Sequence, residues 1–171
     1  MRFFSGFSLS GDRRFFDPYL KISEYTVAGF SYGAIRAALY AADSEERIDT
    51  LQLFSPAFFQ TKKESFRRLQ MGGYLKDAQS YLEKFREGCF APCAVQSLEE
   101  GQHDATMLEE LLYFVWDETL MKKICSRGIR VEVYLGLEDR IIDVAGAREF
   151  FLPYATVTSI KNANHFLQEC I

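Results

Sequence analysis

The chain has 171 residues, a length at which one domain is the rule, and its 48% hydrophobic and 26% charged residues exclude a disordered chain. A net charge of −4 sets it against generic nucleic-acid binding, which calls for a basic surface. Sixteen Phe, nine Tyr and one Trp suit either a well-filled core or an aromatic-lined pocket.

At the N-terminus Ser5 and Gly6 interrupt the apolar start, and Asp12, Arg13 and Arg14 follow, so no signal peptide is predicted. No apolar stretch reaches the roughly 20 residues of a membrane span. The expectation is a soluble, cytoplasmic protein. Cys89, Cys93, Cys125 and Cys170 form no CxxC pair, and only two His are present, so no metal site or cofactor is expected and the cysteines read as reduced thiols.

Tyr25–Phe30 is a β-rich run that reads as a buried strand. Ala34, Ile35, Ala37, Ala38, Leu39, Ala41 and Ala42 then make an Ala-rich helix able to lie close on a sheet. Ile48–Phe54 is a second strand-like run, ended by Ser55-Pro56. From 57 to 127 the apolar residues fall at helical spacing instead. Tyr81, Leu82 and Phe85 mark one helix, stopped by Gly88, and Leu108, Leu111, Leu112, Val115, Leu120 and Ile124 mark the face of another. Gly72-Gly73 and Gly88–Pro92 are the predicted breaks. Strand character returns at Ile129–Leu137 and at Ala155–Ile160, with a helix between at Ala145–Phe151. Strands separated by helices imply parallel crossovers, hence one α/β domain over 1–171, with 57–127 a helical cap inserted between strands.

Gly29-Phe30-Ser31-Tyr32-Gly33 matches G-x-S-x-G, a pattern expected about 0.05 times by chance in a chain of this composition. It sits between a strand-like and a helix-like run, as a nucleophile elbow must. A serine on such a turn has its hydroxyl pushed out above the sheet. The residues two before and two after it approach closely and need to be small. A serine nucleophile needs a base near neutral pH, and only His103 and His165 are available. His103 lies in the polar run Glu99–Asp104 and reads as a solvated loop residue. His165 follows the last strand-like run, at the carboxyl edge that also presents Ser31. The orienting carboxylate is read as Asp139, just beyond the Ile129–Leu137 strand, with Glu138 and Asp143 as rivals.

The order Ser31, Asp139, His165 is that of α/β-hydrolases. The elbow, the loop Gly136–Arg140 and the run Ala163-Asn164-His165-Phe166 resemble that superfamily, over almost the whole chain. The spelling Val27–Ala34, the compact length and Gly6-Phe7 near the N-terminus are similar to the short bacterial pimeloyl-[acyl-carrier protein] methyl ester esterases of biotin synthesis. The resemblance implies an oxyanion hole from the backbone amides of Phe7 and Tyr32. About four residues stand where the superfamily usually has two antiparallel strands, so a reduced, mostly parallel sheet of about five or six strands is expected. The activity implied is hydrolysis of that carrier-bound methyl ester to the free acid and methanol, without a cofactor.

The same resemblance names acyl-carrier protein, an acidic protein, as partner. Between Thr61 and Lys76 the basic residues Lys62, Lys63, Arg67, Arg68 and Lys76 face only Glu64, a local balance of +4 that would steer such a partner. The competing reading is a solvated helix face. A small-ester carboxylesterase or thioesterase with the same triad, and a non-catalytic hydrolase-fold binding protein, are the alternative functions.

Overall fold

A computed structural model describes residues 1–170. In chain order the elements are β1 (Arg2–Phe4), β2 (Leu9–Ser10), a 3-10 turn (Asp12–Phe16), β3 (Thr26–Phe30), α1 (Tyr32–Asp43), β4 (Thr50–Phe54), α2 (Glu64–Lys76), α3 (Ala78–Phe90), β5 (Glu99–Glu100), α4 (Ala105–Tyr113), α5 (Glu118–Ser126), β6 (Arg130–Gly136), α6 (Val144–Phe151) and β7 (Thr156–Ile160). Five strands form one sheet in the order β1-β3-β4-β6-β7, and every neighbouring pair is parallel. The short strands β2 and β5 pair antiparallel beside it.

The register explains how strands buried on both faces can still sort their side chains. Val27, Leu51 and Val131 stand side by side across β3, β4 and β6, and so do Gly29, Leu53 and Val133. This face packs into the main core with Ala34, Ala37, Ala38 and Ala41 of α1, all fully buried, whose short side chains let the helix close on the sheet. The alternate residues face the other way. Ala28, Phe30 and Phe54 join Phe16, Phe90 and Phe166 in a second cluster. The same face carries Gln52 beside Glu132. The Gln52 amide donates to the Tyr19 carbonyl and to Glu132 Oε2, both at 3.0 Å, and Lys21 pairs with Glu132. Burial pushes the Glu132 carboxyl up, but the bonds from Lys21, Tyr134 and Gln52 outweigh it and hold it below its ordinary range.

The stretch 57–127 holds α2, α3, β5, α4 and α5. Helix α2 packs on α3 and α4, whereas α5 packs on α1 in the layer that covers the sheet. Two predicted boundaries are corrected. The apolar face from Leu108 to Ile124 belongs to two helices, because the chain breaks at Phe114–Asp117: the Trp116 indole donates to the Ala57 carbonyl at 2.8 Å and Asp117 caps α5. Val115, expected on the buried face, is exposed there. Gly72-Gly73 does not interrupt α2, which continues to Lys76. The break falls at Asp77, whose carboxylate caps α3 by accepting from the Ser80 amide at 3.1 Å.

The cysteine reading is corrected as well. Cys93 and Cys170, 5.5 Å apart at Cα, form a disulfide, while Cys89 and Cys125 are free. The turn after α3 and the segment after His165 run side by side here, an adjacency invisible in spacings along the chain.

Candidate active site

Ser31 follows β3 directly and stands at the N-terminus of α1. Its φ of 52° is one that L-residues rarely adopt, and the surroundings enforce it. The Ser31 amide donates to the Phe54 carbonyl at 2.9 Å, and its own carbonyl accepts from Ala34 and Ala57, both at 3.1 Å. A Cβ on Gly29 would collide with the Gly33 carbonyl, and one on Gly33 with the carbonyls of Phe4 and Ser5. Both glycines are therefore required by the close approach of elbow, helix and β1.

Asp139 leaves the carboxyl end of β6 and His165 follows β7, so all three side chains arise at the same edge of the parallel sheet. His165 Nδ1 lies 2.6 Å from Asp139 Oδ2, and His165 Nε2 lies 3.0 Å from Ser31 Oγ. An ionised carboxylate can only accept, so Nδ1–H donates to Asp139 and Nε2 is left to accept from the Ser31 hydroxyl. The second oxygen of Asp139 accepts from the amides of Ile141 (2.7 Å) and Ile142 (3.3 Å), which fixes the carboxylate's rotation. Ser31 is 3% exposed and His165 0%, so the row is shielded from bulk water.

The rivals of Asp139 are elsewhere. Asp143 caps α6 through the Gly146 amide and accepts from the Thr61 hydroxyl, bonds that hold its carboxyl below the ordinary range. Glu138 is exposed. His103, read as solvated, is partly buried instead: Nε2 donates to Glu100, Nδ1 accepts from the Tyr74 hydroxyl at 2.8 Å, and its ring lies 6.3 Å from that of Phe7.

Phe7 is buried beside the elbow, its ring edge-on to Tyr32 at 6.5 Å. The amides of Phe7 and Tyr32 donate to no acceptor among the described residues. The loop that carries Phe7 is held from below by Asp12, whose Oδ2 accepts from the Gly6 amide at 2.8 Å. Asp12 is wholly buried and its Oδ1 has no partner; burial raises its carboxyl above the ordinary 3.8, against the bond from the Gly6 amide. At the top of α1 the Tyr32 hydroxyl donates to Glu110 of α4 at 2.6 Å, and burial followed by that bond pushes its pKa up to about 12.

Of the four expected partner-binding residues, Lys63 and Arg68 are exposed, Arg68 78% at the side chain, beside Glu64. Arg67 is turned inward and 18% exposed at its side chain. Its guanidinium lies over the Tyr113 ring and donates to the Lys62 carbonyl at 2.9 Å. Lys62 lines a cavity beneath α2 and α3.

Three residues that sequence reasoning passed over hold the site. The Ser55 hydroxyl donates to the His165 carbonyl at 2.7 Å. Asn164 Oδ1 accepts from the amides of Phe166 and Gln168, while its Nδ2 donates to the Phe90 carbonyl at 2.8 Å. Asp12 is the third. The available signals were Ser55 at the end of a strand run and Asn164 beside the histidine. Neither is distinguishable in sequence from an ordinary turn residue.

No protein-family model matches the sequence, and no curated protein sequence matches it. Solved structures match in fold. A bromoperoxidase from Bacillus anthracis superposes with a TM-score of 0.61 at 17% identity, covering 82% of this chain and 60% of that one. MenH from S. aureus gives 0.59 at 14% identity, with 95% and 85% covered. A structure from work on carboxylesterases of Nitrososphaera gargenis gives 0.52 at 16%, with 82% and 57% covered. The chain thus spans less than two thirds of the first and last of these. The likeness is one of fold, and the chain has an α/β-hydrolase fold.

Proposed function

We propose that the protein is a serine carboxylesterase in which Ser31 is the nucleophile, His165 the general base and acid, and Asp139 the group that orients the histidine. The observation that carries this is the continuous row Ser31 Oγ, His165 Nε2, His165 Nδ1, Asp139 Oδ2, with separations of 3.0 and 2.6 Å. A folding role alone would need none of these groups buried together at a strained turn.

In the mechanism this geometry supports, the Ser31 oxygen attacks the ester carbonyl carbon as His165 Nε2 takes the hydroxyl proton. The imidazolium so formed is stabilised by Asp139, which stays ionised. The tetrahedral oxyanion is met by the unengaged amides of Phe7 and Tyr32, the latter at the positive end of α1. As the carbon–oxygen bond to the leaving alcohol breaks, His165 returns the proton to that alcohol. It then removes a proton from water, which hydrolyses the acyl-serine by the reverse sequence.

Within this reading the substrate is the methyl ester of pimeloyl-[acyl-carrier protein], taken from the resemblance carried by the spelling Val27–Ala34, the compact length and Gly6-Phe7. Residues Lys63, just before α2, and Arg68, in its second turn, both exposed, are the candidate contacts for the acidic carrier. The test is methanol release from that ester by the purified protein beside Ser31→Ala. Turnover that vanishes in the variant supports the serine mechanism and the substrate. Turnover of short methyl esters alone keeps the esterase and discards the carrier. If neither ester reacts and a fluorophosphonate fails to label Ser31, the reading is wrong. Should the carrier ester react, Lys63→Glu with Arg68→Glu is expected to raise its KM and spare the short esters.

A further inference from the structure

We infer that the cavity between α2, α3, α4 and the loop after β6 is an acyl site for esters whose acyl chain ends in a carboxylate. The cavity has a volume of about 520 Å³, enough for a chain of six to eight carbons. Its walls are mostly apolar, with Phe66, Phe85, Leu111 and Ile141 among them. Two of these lie next to the residues of the site. Phe85 packs edge-on against Phe7, ring centroids 6.2 Å apart, and the Ile141 amide is bonded to Asp139. None of Ser31, His165 and Asp139 lines the cavity itself; Phe85 and Ile141 stand between it and the site, and the inference places an acyl chain carried by Ser31 along these two side chains into it.

The charge of the lining decides the chain's far end. Lys62, Lys84 and Arg140 come from three separate segments and all border the cavity, while no Asp or Glu does. None of the three forms an ion pair or a side-chain hydrogen bond with a carboxylate among the described residues. Lys62 is near enough to Asp143 to help hold that carboxyl below its ordinary range, and its ammonium lies 5.6 Å from the centre of the Phe66 ring. Three cations around an apolar cavity, Lys84 and Arg140 exposed to solvent and none in an ion pair, raise the local concentration of an anion and offset the water it loses on entry. A plain fatty acyl chain gains nothing from them. A hemiester of a dicarboxylic acid presents its ester to Ser31, its methylenes to the Phe and Leu walls, and its carboxylate to the three cations.

This inference rests on Ser31 being the nucleophile, and it does not require a carrier. The test compares methyl hydrogen adipate with methyl hexanoate, equal in acyl length, by methanol release. The expected kcat/KM ratio favours the acid-tailed ester by about tenfold at low ionic strength, shrinking with added salt. In Lys62→Met, Lys84→Met and Arg140→Met, and most in the triple variant, the ratio falls toward one through the KM of the acid-tailed ester. Binding of the two esters to Ser31→Ala is measured in parallel and should show the same preference without turnover. Equal kcat/KM values, or equal binding, overturn the inference and leave the esterase standing. Loss of turnover on both esters with preferential binding intact overturns the esterase reading and leaves the acid-tail site.

Discussion

The Ser55 hydroxyl donates a 2.7 Å hydrogen bond to the carbonyl oxygen of His165, tying the end of β4 to the loop that carries the histidine. Ser55 has a φ of 39°, and its amide is held by the Tyr134 carbonyl of β6 at 2.9 Å. Two strands thereby set the height of the imidazole above Ser31. Ser55→Ala leaves that carbonyl buried without its donor and frees the loop. The expected result is a 10- to 100-fold drop in kcat, since about 1 Å of misplacement is worth that much. A stability loss of about 1–2 kcal/mol in urea should accompany it. An unchanged kcat with lowered stability would make Ser55 purely structural.

Asp139→Asn is expected to lower kcat by about 10⁴, because an amide side chain no longer holds the Nδ1–H tautomer. Asp143→Asn is expected to keep the rate, since Asn can still cap α6. Asp143→Ala should cost about 1 kcal/mol of stability through the lost cap. Steady-state rates and urea midpoints on the same three proteins separate the two carboxylates.

Gly33→Ala forces a methyl group into the Phe4 and Ser5 carbonyls, which belong to β1 and the loop after it rather than to a side chain that can rotate away. A destabilisation of about 3 kcal/mol or more is expected, with loss of fluorophosphonate labelling at Ser31. Gly72→Ala, with open space around its Cα, should be neutral or stabilising by up to about 1 kcal/mol. Equilibrium unfolding of both variants provides the comparison.

Asp12 makes stability depend on pH with an unusual sign. Its folded pKa is raised above 3.8, first by burial, so the neutral carboxyl is the form the fold prefers. Its contribution is fully present below pH 3.8 and is lost as the pH rises from 3.8 through the raised folded value. Asp12→Asn keeps an oxygen to accept from the Gly6 amide and cannot ionise. The unfolding free energy of the wild type minus that of the variant should therefore fall across that window and level off above it. A flat difference between about pH 3 and 8 would show that burial leaves the Asp12 carboxyl untouched.

Four of the five sheet strands, β3, β4, β6 and β7, and the helices α1 and α6 were legible because apolar period and local composition act within a few residues, and because parallel strands require crossovers. The elbow was legible for the same reason: Gly29 and Gly33 exclude side chains within one turn of Ser31. Helix ends in the stretch 57–127 were less so. Gly72-Gly73 carries a local signal to stop, but α2 packs on α3 and α4 and continues through it, and Leu108 to Ile124 keeps one apolar period across a real break because both helices face the core.

By itself the sequence determined the fold class and the edge of the sheet at which Ser31 and His165 stand, since each follows from short-range patterns and from the polarity of a parallel strand. Only the tertiary structure decided which carboxylate reaches His165, that Arg67 turns inward over Tyr113 while Lys62 joins Lys84 and Arg140 around a cavity, and that Cys93 meets Cys170. These are distances between segments far apart along the chain. They are set by how loops and helices pack, and a hydrogen bond or a burial made that way leaves no mark on the spacing of residues that come together only in the folded state.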